Sequence, residues 1–63
     1  LINPLVELIN DSNEDIRMSV IISLTQIQDK KVLIILKEQL NVEKNDDVKN
    51  LLIDVIKDIE ENI

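Results

Sequence analysis

Apolar residues return along this chain at helical spacing. Ile16, Val20, Leu24 and Ile27 fall on one face when each residue advances by about 100°, and Val48, Leu52, Ile56 and Ile59 do the same further on. Between the two lines, the stretch from Lys30 to Leu40 holds the unbroken apolar block Val32, Leu33, Ile34, Ile35 and Leu36. Taken alone, that block also fits a buried strand. Its helical flanks, the lack of turn residues around it and its register with the start of the chain predict a helix instead. Such a helix is apolar nearly all round, contacted on several sides, and the most buried of the molecule.

Punctuation sets the ends of these elements. Gly is absent and the single Pro is Pro4, so the turn chemistry of a β protein is missing. Asn3 followed by Pro4 suits a cap and a first helical position, which predicts a short helix to about Asn10. A polar turn, Asp11 to Glu14, comes next. Ser12 and Asp15 have the spacing of a capping box, and the second helix runs to about Gln28. After the turn Glu43 to Asp46, where Asn45 stands as Asn13 stood, a fourth helix reaches about Glu61.

The chain also matches itself when shifted by 32 positions: Leu1, Ile2, Leu8, Asn13, Asp15, Ile21 and Ile27 meet Leu33, Ile34, Leu40, Asn45, Asp47, Ile53 and Ile59 without a gap. Conservative pairs share the register, with Asp11 over Glu43, Arg17 over Lys49 and Val20 over Leu52. A period in the low thirties predicts a stacked repeat. The expected fold is all-α: four helices in two stacked helix-turn-helix units, an α-α solenoid within one domain, with unit one at about 1–31 and unit two at about 32–63. Leu1 is not a start Met, and the expectation is a piece of a longer solenoid.

Composition narrows the function. The chain is 44% hydrophobic and 32% charged, too apolar for a disordered tail and too charged for a membrane segment. No apolar run approaches the roughly 20 residues a span needs, and no cleavable signal region opens the chain. A cytoplasmic location is the corresponding expectation. Seven basic against 13 acidic residues give a formal charge of −6, which opposes docking on nucleic acid or anionic lipid. With no Phe, Tyr or Trp there is nothing to stack on bases.

Chemistry is equally sparse. Cys and His are absent, which removes disulfides, thiol chemistry and the usual ligands of transition metals. Asp11-Ser12-Asn13-Glu14-Asp15 begins like a calcium loop but fails at its sixth position, Ile16, and at its twelfth, Ile22. Asp46 with Asp47 and Glu60 with Glu61 sit at helix ends, where no cleft drives their pKa values apart. The reading is therefore no catalytic residue, no metal and no cofactor.

The residues from Asp11 through Ile16 and Arg17 to Leu24, Gln26, Ile27 and Asp29 resemble HEAT repeats, closest to the short HEAT-like kind of phycobilin lyase subunits. That family shows an acid, Val-Arg and Leu-Gly-x-Ile-Gly-Asp at these places. Unit two supplies Glu43, Val48, Lys49, Ile56 and Ile59. The small family positions are replaced here by Val20, Ile21, Ser23 and Thr25, then by Leu52, Ile53, Val55 and Lys57. The resemblance implies a polar ladder at the turns, carried by Asp11 with Arg17 and by Glu43 with Lys49. It also implies a protein or peptide partner on the outer face of the second helix of each unit. An accessory segment of a lyase subunit is an alternative role.

Projecting the helices places Met18, Ile22, Thr25 and Gln26 away from the core line of the second helix, with Asn50, Asp54, Lys57 and Asp58 matching them in the fourth. An aliphatic contact beside Asp54 and Asp58 favours a partner that adds basic residues. The flanks predict that Ile21 meets the side bearing Leu51 and Val55. That leaves Ser19 and Ser23 as a polar end and Ile53 as a stacking end, open to further repeats or to a homo-oligomer.

Overall fold

A computed structural model describes residues 7–62. Three helices lie among them: α1 at Glu14–Thr25, α2 at Lys30–Val42 and α3 at Asp46–Asn62. Glu7 and Leu8 are helical and run into a turn at Ile9 and Asn10. The first of the four expected helices otherwise lies outside the described residues. The block Val32 to Leu36 is part of helix α2.

Each helix starts on a side-chain cap that satisfies one of the amide donors left free in its first turn. At α1 the cap is Asn13, in extended conformation, whose side-chain oxygen accepts from the Asp15 amide at 2.8 Å. The Ser12 to Asp15 box expected there gives way to it. At α3 the same role falls to Asn45, which accepts from the Val48 amide at 3.1 Å. Two positions before each of these caps, the chain is braced in the same way. Asp11 accepts from the Asn13 amide at 2.8 Å, and Glu43 accepts from the Asn45 amide at 3.1 Å. The 32-residue repeat thus reproduces hydrogen bonds as well as hydropathy. Asp29 caps α2 through the Lys31 amide at 2.8 Å.

Helix α1 ends at Thr25, short of Gln28, because Gln26 and Ile27 turn tightly onto the carbonyls of Ser23 and Leu24. Gln28 then takes the left-handed region at φ 54°. It stands at the second glycine of the Leu-Gly-x-Ile-Gly-Asp pattern, the position where a missing Cβ relieves this conformation.

The core gathers Ile9, Val20, Ile21, Leu24, Val32, Leu36, Val48, Leu52, Ile56 and Ile59. On α3 the buried residues are Val48, Leu52, Ile56 and Ile59, the line given by the spacing. On α1 the expected line is only half buried. Val20 and Leu24 are inside with Ile21, whereas Ile16 and Ile27 are exposed. Ile27 falls past the end of the helix and Ile16 stands in its first turn, beside the polar turn Asp11 to Glu14, while Ile21 joins the buried arc. On α2 the contrast is sharper. Val32 and Leu36 are buried, Leu33 and Ile35 are intermediate, and Ile34 is 58% exposed. The helix is one-sided, with Val32, Leu36 and Gln39 buried and Ile34 exposed, so it is not contacted all round as expected.

Candidate functional site

The described residues bury two polar side chains, Gln39 and Glu43, and both belong to one cluster. Val32, Leu36, Gln39 and Glu43 follow one another at helical spacing along the inner side of α2, so the apolar line ends in two polar residues at the turn. The Glu43 side chain is 2% exposed. Arg17, on α1, meets it in a two-pronged contact, Nε to Oε1 and Nη2 to Oε2, each at 3.0 Å. Gln39 Nε2 donates to Oε1 at 3.1 Å. The remaining Arg17 nitrogen, Nη1, donates to the main-chain oxygens of Asp11 at 2.7 Å and Ser12 at 3.2 Å. Close by, the Asn45 side-chain nitrogen Nδ2 donates to the Glu14 carboxylate.

Arg17 suits this place because its planar fork matches a carboxylate with two parallel bonds and is more weakly hydrated than an ammonium. Burial pushes the Glu43 carboxyl up, but the Arg17 guanidinium, the Asn45 amide and the Gln39 amide outweigh it. The group is held below its ordinary value of 4.5. No buried side-chain nitrogen or oxygen among the described residues lacks a hydrogen-bond partner.

This arrangement corrects the expected ladder. The pairs Asp11 with Arg17 and Glu43 with Lys49, each within one unit, are not the ones formed. Arg17 of the first copy reaches Glu43 of the second, and it touches Asp11 only at the main-chain carbonyl. The Asp11 carboxylate is taken by its own turn. Glutamate is one methylene longer than aspartate, which lets Glu43 close its turn and reach Arg17 at once. Lys49 takes no part in either ion pair found among the described residues, the other being the exposed contact of Lys37 with Glu60 at 3.0 Å. Gln39 was not singled out by the sequence reading, and a polar residue continuing the buried line of α2 was its signal.

The residues expected to meet a partner are distributed unevenly. Ile22, Gln26, Asp54 and Asp58 are exposed. Met18 is half-buried and packs against the core, so it does not form an exposed aliphatic pair with Ile22. Thr25 is half-buried, and its hydroxyl donates to the Ile21 carbonyl at 2.7 Å. Asp58 accepts from the Asn62 amide through its main-chain oxygen at 2.7 Å. Ile53, the expected stacking end, is 50% exposed.

Among the described residues no group of three or more acidic side chains converges to hold a metal ion, and no helix is long and apolar enough to cross a membrane. A cleft lined by Asn10, Arg17, Gln39, Val42, Glu43 and Lys44 opens beside the buried pair, whose polar atoms are already occupied.

Neither a curated protein nor a solved structure matches the chain. A family model of HEAT repeats matches residues 1–57. The match is to HEAT repeats at large and does not single out the short phycobilin lyase type. Proteins built from such repeats generally mediate protein–protein interaction or scaffolding and are generally non-enzymatic. With nearly the whole sequence matched and an all-helical repeat in the structure, the chain belongs to the HEAT repeat family.

Proposed function

We propose that this chain is a non-catalytic protein-interaction module of two units, about 1–31 and 32–63, that takes a protein or peptide on the outer face of α1 and α3. The observation that carries the reading is the pairing of Ile22 on α1 with Asp54 at the same register position on α3, both exposed on helices that pack side by side. Gln26 and Asp58 repeat the juxtaposition one turn further on. An aliphatic contact next to exposed carboxylates suits a basic, amphipathic segment better than a neutral one, and makes association sensitive to salt. The half-buried Met18 contributes less than Ile22.

The test is a titration of the isotope-labelled chain with a synthetic Lys- and Leu-rich amphipathic peptide, followed by amide chemical shifts. Shifts should map to the segments around Ile22, Gln26, Asp54 and Asp58, weaken with added salt, and fall away in Ile22→Ser. Shifts confined to α2, or binding unchanged by Ile22→Ser in a folded chain, contradict the reading.

A second reading, stacking through the open end of the repeat, is favoured by a separate contrast: Ile21 is 0% exposed while Ile53, 32 positions later, is half exposed.

A further inference from the structure

The repeat presents one face twice, and only one of the two is covered. In the first copy, Ile21 is fully buried, Arg17 pairs with Glu43, and the Glu14 carboxylate accepts from the Asn45 amide. Thirty-two positions later stand Ile53, Lys49 and Asp46, each the same residue or the same charge. Ile53 and Asp46 are exposed, and Lys49 has no ion-pair partner among the described residues. The tail of the molecule therefore displays a second version of a face whose occupied form is seen in the interior.

The occupant can be read from what covers the interior face. The second copy supplies the Glu43 carboxylate and the Asn45 side-chain amide there, and the helix bearing Leu51 and Val55, both half-buried against the core with Leu40, packs on the helix bearing Ile21. Their counterparts at the head of the molecule are Asp11, Asn13, Leu8, Ser19 and Ser23. Asp11 keeps a carboxylate in the same turn geometry as Glu43, and Asn13 caps its helix as Asn45 does, through the amide two residues on where Asn45 uses the one three residues on. Leu51 and Val55 fill space in the interior. Where Ser19 and Ser23 replace them, a groove of about 340 Å³ opens, walled by Leu8, Ile16 and Val20 with Asp15 at its side.

We propose that the tail face of one chain docks on the head groove of a second copy. Ile53 enters the groove between Ser19 and Ser23, Lys49 meets the Asp11 carboxylate, and Asp46 meets the Asn13 amide. This rests on the open-end reading above and names its partner. The contact joins two different surfaces, so it does not close on itself and extends into linear chains.

Two exposed substitutions test it by sedimentation equilibrium, with folding checked by circular dichroism. Ile53→Glu disables the tail and leaves the head; Ser19→Glu disables the head and leaves the tail. The wild type should grow in average mass beyond a dimer between about 10 µM and about 1 mM, and each variant alone should associate at least about tenfold more weakly. Mixed in equal amounts, the two variants should form a one-to-one pair and nothing larger. A monomeric wild type at the top concentration overturns the proposal, as does a mixture that stays monomeric. Ser19→Glu that dimerises normally while Ile53→Glu does not overturns it in favour of a tail-to-tail contact. Stacking within one chain is measured separately by the unfolding of Arg17 and Glu43 variants. Destabilisation there with a monomeric wild type rejects self-association alone.

Discussion

Arg17 and Glu43 lie 26 residues apart in sequence and meet through two parallel contacts of 3.0 Å, with their side chains 15% and 2% exposed. The pair joins α1 to the end of α2 and ties the two copies of the repeat together at their turns. Exposed ladder pairs contribute about 0 to 1 kcal/mol, and that was the scale suggested by pairing within each unit. A carboxylate this deeply buried changes the scale, because removing one partner leaves the other desolvated without compensation.

The pair makes stability depend on acidity in a definite direction. The folded-state value of Glu43 lies below 4.5, so its contribution is fully present above that pH and is lost as pH falls through the folded value. Glu43→Gln should be less stable than the wild type near neutrality, and the gap should narrow below about pH 4.5. Urea midpoints for both chains from neutral pH down to about pH 3 check this; a gap that stays constant over the range contradicts it.

Along α2 the cost of truncation should follow the buried side and not the apolar block as a whole. Leu36→Ala should cost about 2 to 5 kcal/mol, whereas Ile34→Ala, at a position 58% exposed, should stay within about 0.5 kcal/mol. A chain of this size has only about 3 to 9 kcal/mol in total, so Leu36→Ala leaves it near its unfolding threshold. Equal losses at the two sites in chemical denaturation contradict the one-sided helix.

The left-handed residue between α1 and α2 predicts a gain. Gln28 has φ 54°, where a side chain costs roughly 1 kcal/mol and glycine costs nothing sterically. Gln28→Gly should raise the thermal midpoint despite losing the contact of Gln28 Nε2 with the Thr25 carbonyl, while Gln28→Val should lower it. If both variants lower the midpoint equally, the side-chain contact outweighs the backbone.

How much of this was legible in the sequence differed from helix to helix. The α3 line Val48, Leu52, Ile56 and Ile59 was read correctly because it follows one unbroken helical face. The α1 line failed at Ile27 because the helix stops at Thr25, and at Ile16 because that residue stands exposed in the first turn. Five consecutive aliphatics in α2 carry no phase of their own, so Ile34 could not be told from Leu36. Flanking residues held the phase, since Val32, Leu36, Gln39 and Glu43 share one line. The acid and base of each turn were visible. Their pairing was not, because the same spacing permits contact within a copy or across to the next, and it is across that Arg17 meets Glu43.

The measurement that tests most directly whether the two copies are joined through this buried pair is a double-mutant cycle of Arg17→Met and Glu43→Leu, read by equilibrium unfolding. Each single substitution should cost about 3 kcal/mol, since each leaves a charge buried without its partner. The double substitution should cost less than the sum of the singles by about 2 kcal/mol or more, the remaining loss coming from Gln39 Nε2, the Asn45 N–H and the Asp11 and Ser12 carbonyls left without these partners. Single substitutions that each cost less than about 0.5 kcal/mol, or a double loss equal to the sum of the singles, would contradict it.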